Sequence, residues 1–193
     1  MGIPTIVQLK IPAQPSGERF NYTGKHRYVL TLPVAGNRPV FAAPAATGPI
    51  LDLLREACWA YHFDVYAYCF LPARLVLIVR GREDLSQLKD FLRSFRQRSN
   101  DRMNKELGRP LWSKKYLERV LRKTELSVDA ARQVFTLPVT EGLVSSSADY
   151  PLQGSFVEEF RRFVAPPARD RFRPGQRHGP VKPRRHRERK TRP

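Results

Sequence analysis

Basic side chains at helical spacing form the clearest chemical pattern in the sequence. Apolar residues recur every three or four positions from Asp84 to Leu107, and Gly108 follows where such a helix would end. The predicted apolar stripe consists of Leu85, Leu88, Phe91, Leu92, Phe95 and Met103. The opposite face carries Lys89, Arg93, Arg96, Arg98, Arg102 and Lys105. Such a row can follow a phosphate backbone, although a solvated basic face explains the pattern equally well.

Aromatic and basic residues are interleaved just after this helix. Trp112 and Tyr116 flank Lys114 and Lys115. Lysines can contact phosphates, and aromatic rings can stack on unpaired bases, an interaction that contributes about 1–3 kcal/mol per base. Burial of both rings in the core is the favoured alternative, and both roles stay open at this stage.

The whole chain is strongly basic. Its 35 Lys and Arg against 18 Asp and Glu give a formal net charge of +17, which favours a polyanionic partner, nucleic acid above all. More than half of this charge lies beyond Phe163, where apolar residues almost disappear. The composition predicts a disordered basic tail at 166–193 that supplies salt-sensitive affinity for phosphates. Its residues predicted to contact nucleic acid are Arg184, Arg185 and Arg187.

Other classes of protein are disfavoured. No apolar run approaches the roughly 20 residues that span a membrane, and the first residues lack a signal-peptide pattern, so we expect a cytoplasmic or nucleoid-associated protein. Cys58 and Cys69 are too few for a disulfide framework and are expected to be buried. No metal site is expected, because none of the histidines forms a metal-spaced pair: His26, His62, His178 and His186.

The elements that must position these residues alternate between strand and helix patterns. They are a strand at Arg27–Pro33, a helix at Ile50–Tyr61 with Thr47 as its cap, strands at Tyr66–Leu71 and Leu75–Val79, the basic helix, a strand at Leu117–Leu121, and a helix from Ser127 to Phe135 ended by Pro138. This order predicts an α+β fold, a ferredoxin-like antiparallel sheet with helices packed on one face. The domain is expected at 26–165, after an N-terminal arm at 1–25 with a short strand at Ile6–Ile11.

The two middle strands are joined by the connection Leu71-Pro72-Ala73-Arg74. The strand after it, Leu75–Val79, is almost continuously apolar, which is typical of a central strand covered on both faces. Pro72 interrupts the strand ladder and predicts a hairpin at this point.

Several short motifs follow one another along the predicted domain. They are Arg38-Pro39-Val40-Phe41, Tyr68-Cys69-Phe70-Leu71-Pro72, Leu111-Trp112 through Tyr116 to Arg122, and Pro138-Val139-Thr140-Glu141-Gly142-Leu143-Val144 followed by Asp149-Tyr150-Pro151. In this order and spacing they resemble motifs of the REP-associated tyrosine transposases, single-tyrosine relatives of the His-hydrophobic-His nucleases. The resemblance runs from about Tyr28 to Tyr150.

The resemblance implies that this chain has lost the family's catalytic residues. In the family, two histidines of the hairpin hold a divalent metal, and the matching positions here are Arg74 and Val76, neither of which can ligate a metal. The family's nucleophilic tyrosine corresponds to Gln133, whose amide cannot form a phosphotyrosine. No catalytic residue, metal or other cofactor is therefore expected. Arg74 either binds a phosphate directly with its guanidinium or is a tolerated exposed residue.

These observations predict a catalytically inactive, transposase-derived protein that binds hairpin or single-stranded DNA through its basic helix and tail. One alternative is an RNA-binding structural subunit of a ribonucleoprotein. Another is an active transposase or nickase with displaced catalytic residues. Monomer and dimer are both open.

Overall fold

The computed structural model describes residues 20–164, so the predicted strand at Ile6–Ile11, most of the arm and the tail lie outside the described residues. In chain order the elements are β1 (Arg27–Pro33), α1 (Thr47–Tyr61), β2 (Phe63–Leu71), β3 (Arg74–Gly81), α2 (Leu88–Leu107), β4 (Leu117–Val120), α3 (Ser127–Thr140), β5 (Gln153–Gly154) and α4 (Glu158–Arg161). None of these helices is both long and apolar enough to cross a membrane.

The strands form one antiparallel sheet in the order β4-β1-β3-β2-β5. Because β1 and β2 each pair antiparallel with β3, they run parallel to one another with β3 between them. This is the split βαβ arrangement of a ferredoxin-like fold, and it confirms the predicted α+β class. The prediction of a central strand is also confirmed, because the five residues Leu75–Val79 are each at most 1% exposed.

Helices cover both faces of the sheet, which corrects the prediction that they pack on one face. The alternating side chains Leu75 and Leu77 belong to the core shared with α1 and α2. Val76 and Ile78 belong to a second core on the opposite face, shared with α3 and α4. The prediction is right for α1 and α2 and wrong for α3, because a central strand that is apolar on both sides needs cover on both faces.

The start of α2 differs from the prediction. The helix begins at Leu88 instead of Asp84. The turn before the helix is bound to the end of α1, because the Ser86 hydroxyl donates a 2.9 Å hydrogen bond to the His62 carbonyl. Leu85 is therefore 83% exposed and does not belong to the apolar stripe of α2, contrary to prediction. The predicted end is confirmed, since Gly108 adopts a left-handed conformation (φ 63°) just beyond Leu107.

The end of α3 also differs from the prediction, because Pro138 lies inside the helix. The helix is ended instead by Gly142, which adopts a left-handed conformation with φ 68°. The Gly142 N–H donates to the Val139 carbonyl, and the Leu143 N–H donates to the Pro138 carbonyl at 2.8 Å. This pair of bonds is a Schellman motif, which satisfies the last carbonyls of the helix.

The predicted cap of α1 is wrong. Thr47 is the first residue of the helix, and its hydroxyl donates to the Pro44 carbonyl at 2.7 Å instead of accepting from a helix N–H. The two cysteines are buried as predicted. Burial raises the pKa of both Cys58 and Cys69 to about 12, so each thiol stays protonated at neutral pH.

Gly81, at the end of β3, is expected to tolerate no side chain. A Cβ atom at this position would collide with the Gly24 carbonyl oxygen and lie 2.9 Å from the Ser86 Cβ. Gly81→Ala should therefore lower the free energy of unfolding by about 1–3 kcal/mol, measured by urea denaturation. The control is Gly48→Ala in α1, where nothing lies within 4 Å of the added Cβ. Equal effects of the two substitutions would contradict the packing described at Gly81.

Candidate nucleic-acid interface

The connection between β2 and β3 is clamped from two sides. It is a two-residue turn of Pro72 and Ala73, as the hairpin prediction requires. The Val34 N–H donates to the Ala73 carbonyl at 2.8 Å, and the Phe41 N–H donates to the Pro72 carbonyl at 3.0 Å. Since both carbonyls of the turn are bound by the segment after β1, the first residue of β3, Arg74, has a fixed position.

The Arg74 side chain forms an ion pair with Glu141. Its Nη2 donates to the Glu141 Oε1, and the two side chains are only 24% and 20% exposed. Burial lowers the pKa of Arg74 from its ordinary value, although a guanidinium remains charged at neutral pH. Glu141 follows the last residue of α3 and lies in its Schellman motif. Arg74 is therefore neither a free phosphate ligand nor a fully exposed residue in this conformation.

The resemblance matches two further positions, Val76 and Gln133, to catalytic residues. One of them is buried and the other is exposed. Val76 is 1% exposed and lies in the core beneath α3. Gln133 is exposed on the outer side of α3, whose inward residues include Val134 and Leu137. The structure places Arg74 and Val76 on one face of the sheet and Gln133 away from it.

Tyr150 does not offer a free hydroxyl. Its side chain is 9% exposed, and its hydroxyl donates a 2.5 Å hydrogen bond to the Phe70 carbonyl. Burial raises the pKa of Tyr150 to about 12 and that of Tyr68 above its ordinary value. Both hydroxyls are therefore protonated at neutral pH.

The histidines are separate within residues 20–164. His62 ends α1 in a left-handed conformation (φ 58°), and its Nδ1 lies 3.0 Å from Glu83 Oε1. His26 packs against Phe20, with ring centroids 5.0 Å apart. In this part of the chain, no group of three or more His, Cys, Asp or Glu residues could hold a metal ion. His178 and His186 lie outside the described residues.

Most of the predicted basic face of α2 is paired with acidic side chains. The Lys89 Nζ lies 2.6 Å from Glu118 Oε1 of β4, and it also lies 3.9 Å from the Tyr22 ring centroid. The remaining pairs are Arg93 with Asp90, Arg98 with Glu56 and Arg102 with Glu106. Each of these four cations has an acidic neighbour, which lowers the local positive charge that a phosphate would meet. Lys105 has no acidic partner within residues 20–164.

Arg96 positions the segment that follows α2. Its Nη2 donates to the Ser113 carbonyl at 2.5 Å, and its guanidinium carbon lies 5.0 Å from the Tyr116 ring centroid. Trp112 is 3% exposed, and its indole Nε1 donates to the Ser99 hydroxyl at 2.6 Å. Burial is therefore the correct alternative for Trp112, and the prediction that its ring stacks on bases is wrong. The hydrogen bond to Ser99 explains why the indole can be fully buried.

A basic pocket lies at the end of β1, and the sequence predicts only part of it. Its volume is about 580 Å³, and it is lined by Ala35, Gly36, Arg38, Arg109, Pro110, Trp112, Ser113 and Lys114. Lys114 is among the predicted contacts, but Arg38 and Arg109 are not. Each lies beside a proline in a turn region, a weak signal, and the two are far apart in the sequence. Lys115 is exposed, and the predicted contacts Arg184, Arg185 and Arg187 lie outside the described residues.

The fold is similar to that of a solved transposase structure. A solved structure of a REP-associated tyrosine transposase bound to a REP hairpin aligns with a TM-score of 0.60 and 16% identity, over 72% of this chain and 81% of that chain. A crystal structure of a protein from Deinococcus radiodurans R1, assigned as a transposase, aligns with a TM-score of 0.45 and 20% identity, over 55% of this chain and 87% of that chain. No protein-family model and no curated protein matches the sequence.

The chain therefore has a transposase-like fold of the kind that the motifs imply. The first of the two structures shows this, because its alignment includes most of both chains.

The ion pair between Arg74 and Glu141 should stabilise the contact of α3 with the sheet. We expect Glu141→Gln to lower the free energy of unfolding by about 1–3 kcal/mol, because a half-buried guanidinium loses its charged partner. A double-mutant cycle with Arg74→Met should give a coupling energy above about 1 kcal/mol. The matched control is the exposed pair of Arg132 and Asp129, 60% and 57% exposed, with an expected coupling of about 0–0.5 kcal/mol. Equal couplings in the two cycles would contradict this role.

Proposed function

We propose that this protein binds nucleic acid, as hairpin or single-stranded DNA, and that it carries out no strand cleavage or transfer. The observation that carries the proposal is the Arg74–Glu141 ion pair. The resemblance to the transposases puts a metal-binding histidine at position 74, and here that position holds a guanidinium already neutralised by a carboxylate. A guanidinium has no lone pair to donate, so this position cannot ligate a divalent cation.

The chemistry of the neighbouring positions supports the absence of catalysis. Phosphoryl transfer in a metal-dependent enzyme needs a cation on the scissile phosphate and an activated nucleophile. Val76 is buried and has no ligand atom. Gln133 has no ionisable hydroxyl, and the Tyr150 hydroxyl already donates to the Phe70 carbonyl. None of these positions supplies a metal ligand or a free nucleophile.

Charge and fold support the binding of nucleic acid. The formal charge of +17 creates a field that concentrates polyanions, and the tail alone contributes 11 basic residues to it. The pocket at the end of β1 adds three cations from the folded domain: Arg38, Arg109 and Lys114. A protein of the same fold has been captured with a REP hairpin. A structured RNA offers the same phosphates, so the experiment below includes RNA.

Binding without cleavage is the first expected result. Labelled hairpin DNA, linear single-stranded DNA and a matched RNA hairpin should be titrated with the full chain at several salt concentrations. We expect binding that weakens as salt increases, with the tightest binding to hairpin or single-stranded DNA. Incubation with Mg²⁺ or Mn²⁺ should give neither shortened strands nor a covalent adduct in denaturing gels.

Each outcome of this experiment decides something. No binding of any ligand at low salt would overturn the proposal. A preference for RNA would replace DNA as the ligand and favour a role in a ribonucleoprotein. A covalent adduct that disappears in a Tyr→Phe variant would show that the protein is an enzyme with displaced catalytic residues.

Deletion of 166–193 tests the part played by the basic tail. The truncated protein should bind more weakly and with a shallower dependence on salt, because fewer counterions are released when fewer cations meet phosphates. The order of preference among the three ligands should not change, since a tail that contacts phosphates alone reads no sequence or shape. If the truncated protein no longer preferred one of the three ligands, the tail would contribute to ligand selection and this prediction would be wrong.

A further inference from the structure

The basic pocket at the end of β1 is built from two segments far apart in the sequence. One wall is the turn at Ala35–Asn37, and the other is the chain from Arg109 to Lys114 that follows α2. The pocket lies at the same end of the sheet as the β2–β3 turn, because Pro33 of β1 pairs with Arg74 of β3. It is therefore close to the place where the resemblance puts the chemistry of the transposases.

The charges of the pocket differ from those of α2. No acidic side chain within residues 20–164 lies within ion-pairing distance of Arg38, Arg109 or Lys114, whereas most cations of α2 have such a partner. The two arginines also repel each other. Burial and the nearby Arg109 both lower the pKa of Arg38 from its ordinary value. An anion bound between these cations would remove this repulsion.

Arg38 is held in place and keeps donors for a ligand. Its Nε donates to the Ala35 carbonyl at 2.9 Å, and its Nη2 donates to the Pro110 carbonyl at 3.0 Å. The Nη1 group has no hydrogen-bond partner within residues 20–164. The guanidinium therefore bridges the two walls of the pocket. Because the side chain is already held in place, ligand binding costs little further side-chain entropy.

The second wall is fixed by α2. The Asn100 Oδ1 accepts hydrogen bonds from the Leu111 and Trp112 N–H groups, at 2.9 and 3.0 Å. The Ala35 N–H donates to the Leu111 carbonyl at 2.8 Å and joins the two walls. The pocket is therefore formed before a ligand arrives, which is the usual state of a specific binding site.

The size and lining of the pocket indicate more than a phosphate ion. A volume of about 580 Å³ is within the range of roughly 300–1,000 Å³ typical of small-molecule sites. Beside its cations it offers the apolar surfaces of Ala35 and Pro110. Cations beside an apolar surface fit the two ends of a nucleotide, a charged phosphate and a flat base.

We propose that this pocket binds a single unpaired nucleotide of the nucleic-acid ligand. Its phosphate is bound by Arg38, Arg109 and Lys114, and its base lies against the exposed ring of Pro110. The inference rests on the proposed function, since it names the part of the protein that distinguishes unpaired from paired nucleic acid. Arg96 and Asn100 are positioning residues, because they hold the wall and do not reach the ligand.

The experiment compares two double variants of the full chain that remove the same charge. Arg109→Ala with Lys114→Ala removes two exposed cations of the pocket, and Arg93→Ala with Arg102→Ala removes two exposed, acid-paired cations of α2. Affinity is measured for single-stranded DNA, a hairpin with an unpaired extension, and a blunt hairpin without one. Thermal unfolding of both variants shows that each is folded.

The pocket variant should lose about tenfold or more in affinity for the two ligands with unpaired nucleotides, and its salt slope should fall by about 2, one for each phosphate-contacting cation. Its affinity for the blunt hairpin should change less than threefold. The α2 variant should behave like the unchanged protein. Photocrosslinking of 5-iodouracil in the unpaired extension, read by mass spectrometry, should label the peptide that contains Pro110 and Trp112.

The failures of the two proposals differ. If the unchanged protein binds nothing, the proposed function is wrong. If it binds but the two variants lose affinity equally, or the crosslink maps to another surface, the pocket assignment is wrong and the proposed function stands. Equal loss for blunt and extended hairpins would show a phosphate contact alone and overturn the assignment of an unpaired nucleotide.

Discussion

The burial of β3 on both faces and along both edges is the constraint on which the rest of the structure depends. β1 and β2 pair with its two edges, and α1, α2 and α3 cover its two faces. A strand enclosed in this way cannot present a side chain to a ligand along its length. Only residues near its two ends are exposed in part, as Arg74 and Arg80 are.

Charge pairing decides which of the many cations remain available. Acidic residues of α1, α2 and β4 pair with four of the six cations on the basic face of α2, and Glu141 pairs with Arg74. Within residues 20–164, Arg38, Arg109 and Lys114 have no acidic partner, and they line one pocket.

The parts of the fold that follow from local patterns could be predicted. The apolar run Leu75–Val79, the strand at Arg27–Pro33 and Gly108 at the end of α2 are each where the sequence places them, because period, β-branching and the conformational freedom of glycine act locally. The errors have a common cause. Leu85 and Pro138 were placed by local rules, but a hydrogen bond from Ser86 to His62 and the Schellman motif at Gly142 outweigh them.

The sequence by itself determined the net charge, the order of strands and helices, and the residue types at positions 74 and 76, an Arg and a Val that offer no metal ligand. Only the tertiary structure decided that Arg74 pairs with Glu141 and that the buried Trp112 donates a hydrogen bond to Ser99. It also brings Arg38 and Arg109 together at one pocket. The reason is physical. Composition and local spacing are properties of the chain, whereas ion pairs and pockets depend on which distant segments the packing of the sheet brings together.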